Sequence, residues 1–186
     1  MDVLESSAID PLLDAIGSRT LAPASGPTAA FVGAMAAALC AKTGRYALDD
    51  GAVAQAEHLR RRLTHLARED AEAFVTAFRN LDEPREPDPD VRDWQLGRSL
   101  AAAADALLRI AETCADVAEL AADLARRGKP DLQPDAAAAA VLAEAAARVC
   151  AHLVAVNLGM TPTDERVQRA AAFAGAAGDA VARAGV

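Results

Sequence analysis

The sequence predicts an all-α fold, an elongated bundle of five to six helices that pairs as a homodimer. Three observations carry this. Fifty of the 186 residues are alanine, the residue with the best intrinsic helix propensity. Aromatic residues make up only 3%, and no Val/Ile-rich runs lie between Gly-rich turns, so a sheet has little to be built from. Proline and glycine cluster at 22–27, 42–50, 81–89, 128–134 and 159–162. These breakers mark off helical stretches at 7–16, 28–42, 50–80, 90–127, 135–158 and 163–184. With no internal repeat and no linker between units, residues 1–186 read as one domain.

Each long helix has its own pattern. The second, 28–41, is apolar all round and rich in Ala and Gly, which places it in a bundle centre or across a subunit interface, almost wholly buried. A second copy of the chain is the natural cover. The third carries a stripe of Ala52, Ala56, Leu59, Leu63, Leu66, Asp70, Ala73 and Ala77, spaced by four and three. The stretch 83–90 reads as a polar turn leading into the fourth helix. There Asp105, Arg109, Glu112, Asp116, Glu119, Asp123 and Arg126 form a polar stripe. Two apolar stripes run beside it, one through Leu107, Ile110, Cys114 and Val117, the other through Ala104, Leu108, Ala111 and Ala115. That helix therefore packs on more than one neighbour. Glu144, Arg148 and His152 step by four through the apolar fifth helix and read as an ion-paired edge.

Charge and cysteine usage narrow the function classes. A formal net charge of −8 is the opposite of what a nucleic-acid binder carries. Cys40, Cys114 and Cys150 are too few and too scattered for a disulfide framework and lack metal-ligand spacing. The acidic start Met1-Asp2-Val3-Leu4-Glu5 has no apolar segment of a signal peptide. The apolar stretch 28–41 is too short to span a bilayer, and 136–160 is interrupted by charge. The expectation is a cytoplasmic protein with no nucleic-acid, membrane or metal partner.

Asp70 is the most informative residue. It holds a position that the stripe reserves for an apolar side chain, with Phe74 one turn on. A carboxylate there pairs with a cation, is protonated, or faces a cavity, because an unpaired buried charge is too costly. Desolvation would raise its pKa toward the range useful for proton transfer. A structural ion pair with an arginine of another helix is the alternative. Asp135, after Pro134, reads first as an N-cap. His58 and His65 read as part of a solvated face. Gly26-Pro27 would start the second helix with proline at its first position, leaving amides free for an anion.

Taken together, these segments resemble the formimidoyltetrahydrofolate cyclodeaminase family, which includes methenyltetrahydrofolate cyclohydrolases. Pro23…Gly26…Ala29-Ala30…Gly33-Ala34 resembles the family's Pro-Gly-Gly-Gly-Ser-x-Ala-Ala-x-x-Gly-Ala signature, and Thr43-Gly44-Arg45-Tyr46 its Thr-x-Gly-basic-basic-Tyr stretch. Glu69-Asp70-Ala71-Glu72-Ala73-Phe74 is similar to its Asp-x-x-Ala-Phe motif. Gly128-Lys129…Pro134-Asp135-Ala136 resembles its Gly-Asn…Ser-Asp-Ala turn, and Val156-Asn157-Leu158 its Ile-Asn-Leu. The chain departs from the pattern at Ala24-Ser25 in the glycine run, at Pro27 and Pro134 for two serines, and at Lys129 for an asparagine.

The resemblance implies an all-α homodimeric enzyme that converts a formimino- or methenyl-tetrahydrofolate, with no tightly bound cofactor. It gives Asp70 the role of proton-transfer residue. It also implies a substrate cleft drawing on Ser25, Gly26, Thr28, Lys42, Arg45, Lys129, Asp135 and Asn157. Lys42 or Arg45 would hold a substrate carboxylate, and the Gly26 turn would offer backbone amides. Two other readings stay open: the same scaffold turned to an amine-eliminating or cyclising step on a non-folate substrate, and a catalytically silent dimeric partner protein.

Overall fold

The structure, a computed structural model, describes residues 9–82 and 89–186. The acidic N-terminal start and most of the expected 83–90 turn lie outside the described residues. Among those residues there are six α-helices and no strand: α1 (Asp10–Gly17), α2 (Ser25–Ala47), α3 (Asp50–Asp82), α4 (Pro89–Arg127), α5 (Gln133–Asn157) and α6 (Glu165–Ala184). A short 3-10 turn, Pro130–Leu132, leads into α5.

The long α4 lies at the centre, with α2, α3, α5 and α6 all packed on it. Both apolar stripes make this possible: Leu107, Ile110, Cys114 and Val117 are buried, and so are Ala104, Leu108, Ala111 and Ala115. The exposed stripe keeps Asp105, Arg109, Asp116 and Glu119 in solvent. Small side chains dominate the core. Every helix of the main bundle contributes buried alanines, so the backbones sit close and the scarce leucines fill the remaining space.

Three expectations about α2 need correction. It begins at Ser25 rather than at Pro27, with Ala24 in extended conformation at its N-cap. It also runs on through Thr43-Gly44-Arg45-Tyr46 to Ala47, where a break was expected. A Cβ at Gly44 would come within 3.0 Å of Val53 Cγ2 and 3.3 Å of Val53 N, so this glycine serves the close approach of α3 rather than ending the helix. Nor is α2 almost wholly buried within one chain. Gly26, Ala30, Gly33, Ala37, Cys40 and Ala41 face the core, while Met35 is 46% exposed and Ala38 and Lys42 are open to solvent.

By length and composition, 130–157 is apolar enough to cross a membrane. In this fold its α5 segment packs against α2, α4 and α6, and Glu144 and Arg148 form the expected pair at 3.3 Å.

Candidate functional site

The α3 stripe is buried as its spacing predicts at Ala52, Ala56, Leu59, Leu63, Leu66 and Ala77, with Ala73 half-buried, and Asp70 is buried with it at 4% exposure. Among the described residues no cation meets it, and Asp70 makes neither an ion pair nor a hydrogen bond. The neighbouring Glu69 does have a cation, with Arg109 Nη2 2.9 Å from its Oε2, close enough for attraction but without hydrogen-bond alignment. The structural ion-pair reading of Asp70 therefore has no partner among the described residues. Burial away from water raises the Asp70 carboxyl from 3.8 to about 6, because desolvation penalises the charged form.

The start of α2 comes directly onto this carboxylate. A Cβ built at Gly26 would lie 2.2 Å from Asp70 Oδ2 and 2.8 Å from Leu107 Cδ2. Gly26, Asp70 and Leu107 thus meet at one level of the bundle, from three helices. Only a glycine leaves room for the carboxylate there. Thr28 is committed to the helix start itself: its backbone N–H and its hydroxyl both donate to the Ala24 carbonyl, at 3.1 and 2.8 Å. Pro27 has no N–H to offer. Behind this level lie buried thiols. Burial pushes Cys114 up to about 12, and Cys150 is raised by burial, by Cys114 and by Asp70, so both stay neutral.

Cavities flank the α2 start on two sides. One of about 480 Å³ lies between Pro23, Ser25, Thr28 and Val32 and the α5 residues Ala146 and Val149. Another of about 590 Å³ lies between Leu12 of α1, Pro27 and Phe31 of α2, and Ala67, Arg68 and Ala71 of α3. Apart from Arg68 and the hydroxyls of Ser25 and Thr28, these walls are aliphatic or aromatic. Asp70 lines neither cavity; it sits behind the turn they share.

The remaining sequence-derived site residues fall elsewhere. Lys42 Nζ donates to Asp135 Oδ2 at 2.5 Å, and Arg45 Nη2 donates to Glu57 Oε1 at 2.8 Å. Both cations are exposed and already paired. Asp135 is not the N-cap, since α5 already begins at Gln133 with Leu132 as its cap. Lys129 is exposed before the 3-10 turn, next to Gly128, whose Cβ position is 3.9 Å from Thr43 Cγ2. Sixteen residues of helix separate Lys42 from Gly26, about 24 Å. Within one chain eight of the nine residues therefore form two groups, one around Asp70, Ser25, Gly26 and Thr28, the other around Lys42, Arg45, Lys129 and Asp135. Asn157 closes α5, two turns beyond the Val149 level.

Sequence reading missed the aromatic patch on α4. Trp94 is 60% exposed, and the Arg98 guanidinium stacks over its ring at 4.9 Å. The available signal was the i,i+4 spacing of the single tryptophan and an arginine.

Comparison with known proteins gives this arrangement a lineage. The chain is 31% identical over 165 residues to the methenyltetrahydrofolate cyclohydrolase of Methylorubrum extorquens, covering 82% of this chain and 79% of that protein. Its fold matches the crystal structure of formiminotetrahydrofolate cyclodeaminase from Thermotoga maritima with a TM-score of 0.83, at 22% identity, over 97% of this chain and 95% of the other. The sequence profile of the formiminotransferase-cyclodeaminase family matches residues 8–176. With that match running from α1 into α6, the chain belongs to the formiminotransferase-cyclodeaminase family.

Proposed function

We propose that this enzyme, of the cyclodeaminase/cyclohydrolase kind, hydrolyses the one-carbon bridge of a methenyl-tetrahydrofolate, with Asp70 carrying the proton. The carrying observation is Asp70 itself: buried, without a cation among the described residues, raised to about 6, and held against a glycine at the start of α2. Support for hydrolysis over deamination comes from the 31% identical relative, a cyclohydrolase by name.

The chemistry asks for one such group. Water adds to the electrophilic methenyl carbon between N5 and N10 and must lose a proton as the C–O bond forms; ionised Asp70 accepts it. One C–N bond then breaks, and the departing ring nitrogen takes that proton back from Asp70. The second water proton leaves as the carbonyl forms, giving a formyl group on the other nitrogen. A carboxylate with a pKa about one unit below neutral does both halves of the exchange, since an appreciable fraction is in each form. In the deaminase variant of this chemistry, the folate nitrogen attacks a formimino carbon and ammonia departs with the same proton.

A homodimer belongs to this reading. Met35 of α2 and Val149 of α5 are exposed apolar residues on adjoining helices, and a second copy laid across α2 and α5 would cover them. The Lys42–Asp135 end of one copy and the Asp70 end of the other would then bear on one another only through the pairing.

The test is turnover. Purified enzyme is offered methenyl-tetrahydrofolate and formimino-tetrahydrofolate, following loss of the methenyl chromophore or release of ammonia. Hydrolysis of the first, lowered about 10²- to 10⁴-fold by Asp70→Asn, is the expected result. Undiminished turnover in that variant would overturn the role of Asp70. Ammonia release without hydrolysis would overturn the choice of reaction.

A further inference from the structure

Beyond Asp70, α3 and α4 continue past the start of α2, and a third cavity of about 440 Å³ opens between them. Its lining differs from that of the cavities at the α2 start. Ala73 and Thr76 come from α3, and Trp94, Gln95, Arg98 and Ala102 from α4. It brings together an aromatic face, an amide, a hydroxyl and a guanidinium. It also begins on the stripe that carries Asp70, since Ala73 is the next stripe position, one turn on. Resting on the reading of Asp70 as the reacting centre, we infer that Trp94 and Arg98 form the subsite for the aminobenzoyl-glutamyl tail of the substrate, with Arg98 binding a glutamyl carboxylate.

Geometry and chemistry agree on this. Leu107 marks the Asp70 level through their shared contact at Gly26. Along the axis of α4 nine residues separate it from Arg98, about 13 Å, the length of a benzoyl ring and an extended glutamyl residue beyond the reacting nitrogen; the half-turn offset puts Arg98 on the exposed face of α4, where the tail would leave the bundle. A guanidinium laid over an indole keeps its N–H donors at its rim and loses little freedom on binding a carboxylate in bidentate fashion. The exposed indole adds apolar surface for the ring. Lys42 and Arg45, the cations expected to hold this carboxylate, are at the far end of α2 and paired with Asp135 and Glu57. Arg98 is at the Asp70 end of the bundle, on the exposed face of α4.

Because Trp94 is the only tryptophan in the chain, its fluorescence reports on this site directly. p-Aminobenzoyl-glutamate titrated into the full-length protein should quench it, and p-aminobenzoate, lacking the glutamyl carboxylates, should bind far more weakly. Arg98→Gln should raise the dissociation constant of the fragment about 10- to 100-fold, the loss expected for charge-assisted hydrogen bonds. In turnover, the same variant should raise KM for a glutamyl substrate with kcat nearly unchanged. Its KM for the matching pteroate, which has no glutamyl group, should stay at the wild-type value. Equal KM for both substrates in the wild type, or fragment binding indifferent to Arg98→Gln, would overturn the subsite. The two readings fail separately. A fully active Asp70→Asn enzyme sinks the proton-transfer role whatever the fragment does, and a fragment that ignores Arg98 sinks the subsite while an inactive Asp70→Asn stands.

Discussion

Gly26 and Asp70 occupy the same space from opposite sides: the point where a Cβ of residue 26 would lie is 2.2 Å from Asp70 Oδ2. The glycine on α2 and the carboxylate on α3 are thus one structural unit, and a change in either is felt by the other. Gly26→Ala must push the carboxylate away from the α2 start or shift the helix. Overpacking of this kind costs about 1–3 kcal/mol. The expected outcome is a lower melting temperature and reduced turnover together. Adding Asp70→Gly to Gly26→Ala should restore the melting temperature but not turnover; a Gly26→Ala protein as stable and active as wild type would show that the contact is not made.

Asp70→Asn should stabilise the protein at neutral pH. The folded carboxyl titrates near 6, above its ordinary 3.8. At pH below that ordinary value it is protonated folded and unfolded alike, and its burial carries no ionisation cost. Between the two values the unfolded chain releases the proton while the folded chain keeps it, so stability falls as pH rises. Above about 6 the loss is complete, on the order of 3 kcal/mol. Asparagine removes it, so the variant should melt roughly 5–10 °C higher at pH 7.5, with the gain shrinking toward zero at acid pH. Lower stability at pH 7.5 would mean that a cation is stranded by the change.

The pH dependence of turnover should report the same group. If ionised Asp70 takes the proton from water, kcat/KM rises with pH through an apparent pKa of about 6 and levels above it. This limb should be absent from the residual activity of Asp70→Asn. A wild-type profile flat between pH 5 and 7 would remove the carboxylate from the rate-determining proton transfer.

What could be read from the sequence depended on whether a signal was local or periodic. The α3 stripe was legible, Asp70 included, because spacings of four and three fix one face of a helix wherever it packs. The continuation of α2 through Gly44 was not. In sequence a glycine beside polar residues marks a break, and only the approach of Val53 reveals that it makes room for a neighbour. Asp135 looked like a cap because Pro134 precedes it, but α5 starts at Gln133 after the 3-10 turn. Its partner Lys42 is 93 positions away, a separation at which pairing leaves no sequence pattern. Within one chain the expected site residues fall at the two ends of α2 for the same reason. Motifs in order along a sequence do not say which end of a helix each one reaches.

The exposed apolar face of α2 and α5 leads to the last expectation. Met35 and Val149 lie on adjoining helices, exposed at 46% and 42%, although α2 was expected from its sequence to be almost wholly buried. Water against such a face is unfavourable by about 25 cal/mol for each Å² that a partner could cover, and a stable dimer covers about 800 Å² per partner. The full-length protein should therefore run as a dimer by light scattering at micromolar concentration. Replacing Val149 by glutamate places a charge where the two copies would meet. Because that position is already open to solvent in the single chain, the substitution should leave helix content unchanged and shift the mass to that of a monomer. A wild-type protein that is monomeric across this range would sink the homodimer; a Val149→Glu protein that stays dimeric would place the contact on another face.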